Sequence, residues 1–135
     1  MLKNTLKKKV RDFCDKAYTK KIDVYFNKDH RPLQNHRCHN NADHMVRSGN
    51  AVSIAQVLII DDDACCLHYI NMDDQGGYFD ATLGYQYSAS DYRLVRLIHE
   101  FKEYPGNHLN SEKERICIEA LGKWKCKLHD PLDLL

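Results

Sequence analysis

The 135-residue chain lacks any long hydrophobic run. Its longest apolar stretches, residues 57–60 and 64–67, are strand-sized, far from the ~18–20 apolar residues of a membrane span. It also lacks an excess of charge of one sign. Twenty basic residues face nineteen acidic ones, a formal charge of +1, which argues against a general nucleic-acid binder. No C-x-x-C occurs, so a four-cysteine zinc ribbon or a thioredoxin motif has no support. Proline and glycine are scarce, three and six residues, and no linker, repeat or low-complexity segment interrupts the chain. The opening MLKNTLKKKV has charge without an apolar h-region, so no secretory signal is expected. The expected compartment is therefore the reducing cytoplasm, where thiols stay free.

What is present fits one globular domain spanning 1–135. Apolar residues make up 43% and charged residues 29%, enough to build a single core. Residues 1–21 carry eight basic and two acidic side chains, +6, so the remainder carries −5. Leu6, Val10, Phe13, Cys14 and Ala17 recur at helical spacing there. The pattern predicts a basic amphipathic helix packed on the domain, its lysines forming a solvated face or a dock for an acidic partner.

The next segments alternate between strand and helix signals. Residues 22–26 (IDVYF) predict a short strand and 27–34 a loop around Pro32. Residues 39–48 predict a second helix closed by Gly49. Residues 52–60 (VSIAQVLII) predict a central strand. Strands over 64–71 and 78–81 follow, joined by a turn at 72–76. Leu94, Val95, Ile98 and Phe101 predict a third helix, starting at Ser90 or Asp91 and stopping before Pro105. Ser111 and Glu114 form a capping box ahead of a fourth helix ending at Gly122. The order predicts an α+β domain, an antiparallel sheet flanked by helices.

Three residues stand out for chemistry. Cys38 sits where a loop meets a helix start, a position whose dipole and free amides favour a thiolate. His68 and Asp80 lie on consecutive strands. A hairpin centred on Asp74 would pair them across strands on one face, about 4.5–5.5 Å apart at Cβ. A carboxylate would then orient an imidazole, the imidazole would deprotonate the thiol, and the thiolate would attack a carbonyl.

Cysteine at a helix start, histidine on a strand and aspartate on the following strand resembles the transglutaminase-like branch of papain-like cysteine enzymes. The segment LHYINMDDQGGYFDATLG is similar to that branch's His-strand, turn, aromatic and Asp-x-Thr pattern. The resemblance covers roughly residues 34–84. It implies a minimal papain-like or transglutaminase-like core with Cys38 as nucleophile, His68 as general base and Asp80 as orienting acid. Thr82 completes the Asp-x-Thr. Gln34, upstream of the cysteine, is the amide the resemblance offers for oxyanion stabilisation. Arg37 before Cys38 departs from the small or aromatic residue often found there. In overall style the chain is also similar to small uncharacterised phage or bacterial proteins. The expected activity is a cysteine-dependent hydrolysis of an amide or peptide-like bond, or transfer of the acyl group to an amine.

Two rival readings compete. His30, His36, Cys38, His39 and His44 crowd one stretch, but their spacing does not let four ligands converge, and Asp61–Asp63 lacks a calcium-loop pattern. No metal or other cofactor is expected. Alternatively, eight tyrosines, with Tyr69, Tyr78, Tyr85, Tyr87 and Tyr92 around the central hairpin, fit a binding protein that inhibits a host factor or sequesters a small ligand. Their ordinary role is sheet packing. The partner is accordingly a peptide, a small amide or a protein, with neither membrane nor nucleic acid expected.

Overall fold

The computed structural model describes residues 2–25, 37–82, 90–128 and 133–135. Helix α1 (Leu2–Ala17) forms where Leu6, Val10 and Cys14 recur every fourth position, and these three are buried. The short strands β1 (Lys21–Ile22) and β2 (Val24–Tyr25) follow, then helix α2 (Cys38–Arg47). Strands β3 (Ser53–Ile60), β4 (Cys65–Met72), β5 (Tyr78–Phe79) and β6 (Asp91–Ile98) build most of the sheet. Helices α3 (Pro105–Leu121) and α4 (Lys123–Leu128) follow.

The fold is α+β with one six-stranded sheet in the order β1-β6-β3-β4-β5-β2. Only Asp23 separates β1 from β2, yet they occupy opposite ends of that order. One short stretch of chain therefore joins both edges, and the sheet is nearly a barrel. This corrects the expected all-antiparallel sheet. Counting β1 and β2 as one member, the ring has five, and alternating directions cannot close an odd ring. One seam must be parallel, and it falls between β2 and β5. The other four pairings are antiparallel.

The sheet buries both faces. Ile22, Val24, Ala55, Val57, Ile59, Ile70 and Tyr92 fill the interior. On the outer face Leu58, Ile60, Cys65 and Leu67 pack against Leu6, Val10 and Cys14 of α1 and Ile116 and Cys117 of α3. Strand β3 lies between β4 and β6 and is buried throughout, which explains its unbroken apolar sequence. Its one long polar residue, Gln56, is paired. It donates to Glu112 at 2.9 Å and accepts from Arg96 at 2.8 Å, tying α3 to the sheet. Arg96 and Arg115 also donate to Glu112, so its buried carboxylate is compensated.

The third helix expected from residue 90 or 91 is instead strand β6. The register with β3 slips between Gln56 and Val57, so that Gln56 faces Arg96 while Val57 faces Leu94. Val95 is the extra residue of a β-bulge. Tyr92 and Leu94 face the interior cluster, whereas Val95 packs with the outer one. The bulge places two apolar residues in succession and breaks the period of two. The remaining pattern then imitates a helical stripe. The capping box at Ser111 and Glu114 is also overruled, because α3 begins earlier, with Pro105 in its first turn. The stop at Gly122 holds, with φ of 87°. Among the described residues no helix is long and apolar enough to cross a membrane.

Candidate active site

The site forms where α2 meets β4. Strand β5 pairs with β4 only at Asn71 and Met72, so among the described residues the earlier part of that edge is free of a strand partner. The first turn of α2 lies there. Arg37 precedes the helix, and the Asn41 N–H donates to its carbonyl at 2.8 Å, so Cys38 is the first residue inside. Asn71 holds the helix down. Its side-chain amide donates to the Ala42 carbonyl at 3.0 Å.

Cys38 packs with Ala42, Ile54 and Tyr69 and is 9% exposed. Its sulfur lies within electrostatic reach of the His68 ring and of the Tyr69 backbone N–H. His68 lies opposite Val57, on the interior face of β4, and is 5% exposed. Its Nε2 is 2.7 Å from Asp80 Oδ2, which leaves Nδ1 for the thiol. The Asp80 side chain has no exposed surface.

The contact between His68 and Asp80 does not come from the expected direct pairing. Asn71 pairs with Phe79 and Met72 with Tyr78, a register two residues away from a hairpin centred on Asp74. Continued, this register would set Asp80 opposite Ile70, diagonal to His68. A slip of two keeps both side chains on one face, where a slip of one would have separated them. Asp80 also lies just beyond the two-residue β5, not within a strand.

Other residues fix the carboxylate. The Thr82 N–H donates to Oδ1 at 2.9 Å, the local turn that an Asp-x-Thr sequence can make. The Tyr92 hydroxyl donates to Oδ2 at 2.9 Å. Thr82 Oγ1 in turn accepts from Asn41 Nδ2 at 2.9 Å. The contacts close a ring: Cys38, His68, Asp80, Thr82, Asn41 and back through the first turn of α2. Asn41, in the first turn of α2, is thus engaged in this link.

The electrostatics of Cys38 and His68 agree. Burial pushes the Cys38 thiol up, but the hydrogen bond and charge of His68 and the Tyr69 N–H outweigh it, so its pKa is lowered. Burial pushes His68 down, but the hydrogen bonds and charges of Asp80 and Cys38 raise it to about 10. Both shifts run in the direction that favours a thiolate–imidazolium pair over a neutral thiol and imidazole.

Cys38 differs from the other thiols. Cys14, Cys65, Cys117 and Cys126 share one apolar core cluster. Cys65 is raised first by its hydrogen bond to Cys14 and then by burial, and burial raises Cys117 to about 12. Burial also raises Cys126, and the Cys66 thiol, although exposed, is shifted up as well. None of the six cysteines is joined in a disulfide. Among the described residues no group of three or more histidine, cysteine or carboxylate side chains is placed to hold a metal ion. Gln34, His30, His36, Tyr85 and Tyr87 lie outside the described residues.

Sequence reasoning missed Tyr92 as part of the site. Reading β6 as a helix hid the alternation that sends Tyr92 and Leu94 to the barrel interior. A strand reading of DYRL would have exposed it. Comparison of the chain with protein-family models, curated proteins and solved structures finds no match.

Proposed function

We propose that the protein is a cysteine-dependent acyl-transfer enzyme, built on a minimal papain-like core, with Cys38 as nucleophile, His68 as general base and acid and Asp80 as the orienting carboxylate. The observation carrying this reading is the buried array in which His68 Nε2 lies 2.7 Å from Asp80 Oδ2 and the His68 ring is within reach of the Cys38 thiol and lowers its pKa. A thiolate held in this way is a ready nucleophile, and a carboxylate on the far ring nitrogen fixes the productive tautomer.

In the proposed cycle the Cys38 thiolate adds to an amide carbonyl carbon. The C=O π electrons move onto oxygen. As the tetrahedral adduct collapses, the C–N bond breaks and the His68 imidazolium delivers its proton to the leaving amine. A thioester on Cys38 remains. Neutral His68 then takes a proton from water or from an acceptor amine as that nucleophile attacks. Release of the acid or the new amide restores the ion pair. Gln34 is the proposed oxyanion donor. The substrate is an amide, either peptide-like or small. Six cysteines without a disulfide fit a reducing, cytoplasmic setting.

The test is acylation by an activated ester such as nitrophenyl acetate. The expected result is an acetyl group on Cys38 that turns over, and loss of both steps in Cys38→Ser and His68→Ala. Acylation of Cys38 at an unchanged rate in His68→Ala would contradict the reading.

A further inference from the structure

We propose that Tyr92 is a positioning residue for this array: its hydroxyl, brought across the barrel from β6, holds the Asp80 carboxylate charged and aimed at His68. The inference rests on the reading of Cys38 as an activated nucleophile. Asp80 follows a two-residue strand, so no extended ladder holds its backbone. Among the described residues, its carboxylate is oriented by the Thr82 N–H on Oδ1 and the Tyr92 hydroxyl on Oδ2 beside His68 Nε2. The mount for the hydroxyl is rigid. Tyr92 is fully buried, opposite Ile22 on one side and Ile59 on the other.

The chemistry of the cluster gives this contact a role beyond packing. With Cys38 as thiolate, His68 as imidazolium and Asp80 as carboxylate, the buried cluster carries one net negative charge. Protonating the thiolate removes that charge. A donor aimed at Asp80 therefore favours the reactive form, and more strongly in a buried site than in water. Among the described residues, the titratable groups around the cluster are Cys38 on α2, Cys66, His68 and Tyr69 on β4, Asp80 beyond β5 and Tyr92 on β6. Cys66 and Tyr69 are both shifted up and keep their protons through neutral pH.

The experiment is the pH profile of Cys38 alkylation by iodoacetamide in the intact protein, compared with Tyr92→Phe, which keeps the ring and removes only the hydroxyl. The acid limb should move up by about half to one unit. Labelling on the acid limb, below its midpoint, then slows roughly three- to tenfold, while at about pH 9 it stays within about twofold. Replacing Tyr92 with a ring-fluorinated tyrosine, a stronger donor of nearly the same shape, should move the limb down. Ile59→Val thins the same interior without touching the hydroxyl and should leave the limb in place. A Tyr92→Phe profile that overlays the wild type, or a shift reproduced by Ile59→Val, overturns the proposal. His68→Ala separates the two levels of argument. If it leaves the wild-type profile unchanged, the nucleophile reading fails as well; if it abolishes low-pH labelling while both Tyr92 replacements are silent, only the role of Tyr92 fails.

Discussion

Asp80→Asn changes little in size but removes the charge that His68 faces. In the native protein Asp80 Oδ2 lies 2.7 Å from His68 Nε2, and its hydrogen bond is the largest influence raising the His68 pKa. The rise from 6.5 to about 10 occurs against burial, which acts in the opposite direction. Converted at ~1.4 kcal/mol per unit, the net shift is worth on the order of 5 kcal/mol, shared between Asp80 and Cys38. Because the Asp80 charge also pushes the Cys38 thiol up, its removal is partly offset there, and the expected net loss of the thiolate–imidazolium form is on the order of tenfold or more. Asparagine also forces a choice. One orientation of its amide confronts the Thr82 N–H with a donor. The other confronts the Tyr92 hydroxyl and pushes His68 toward the tautomer protonated at Nδ1, which cannot accept the Cys38 proton. The assay is the rate of Cys38 alkylation at about pH 6, read by mass spectrometry, with circular dichroism confirming the fold. A folded Asp80→Asn protein that labels as fast as wild type would refute the reasoning.

Other perturbations test neighbouring parts of the account. Iodoacetamide at about pH 6 should label Cys38 well ahead of Cys65, Cys66, Cys117 and Cys126, whose thiols are shifted up, as peptide mapping will read. Asn41→Ala removes the bond to Thr82 that closes the ring, and should cost about 1–2 kcal/mol in urea unfolding together with slower labelling of Cys38. Glu112→Ala leaves Gln56 facing a lost acceptor, and because both arginine partners are partly exposed the expected loss is about 1–3 kcal/mol. Stability should also depend on pH through His68. Its folded pKa of about 10 lies above the ordinary 6.5, so its contribution is complete below about 6.5 and is lost as pH rises through about 10. Cys38 acts with the opposite sign: its contribution is present above the ordinary 9.0 and is lost as pH falls through its lowered value. The stability advantage of wild type over Asp80→Asn should therefore be larger at about pH 6 than above about pH 10, as thermal melts across that range will read.

The legible parts of this fold were those governed by local periodicity. Leu6, Val10 and Cys14 mark α1, Gly49 and Gly122 mark helix ends, and the apolar run through residues 53–60 marks a strand buried on both faces. Strand β6 was not legible, because its bulge at Val95 is a property of the pairing with β3 and leaves a helix-like residue pattern. The parallel seam was equally hidden, since it arises from closing a ring with an odd number of members. For the site, sequence brought Cys38, His68 and Asp80 together by order and by face. It set the hairpin register two residues off, which preserved the face and therefore the contact. Tyr92 and the Asn41–Thr82 link depend on tertiary approach from β6 and α2, which no local pattern encodes.

The central claim is that Cys38 is a thiolate at neutral pH because His68 holds its proton. Ultraviolet absorbance of thiolate, titrated in the wild type and in Cys38→Ser, measures this directly. The account predicts a difference of about one thiolate already present near pH 7, well below the range of an ordinary cysteine. A difference that emerges only as pH approaches 9, as for an unperturbed thiol, would contradict it.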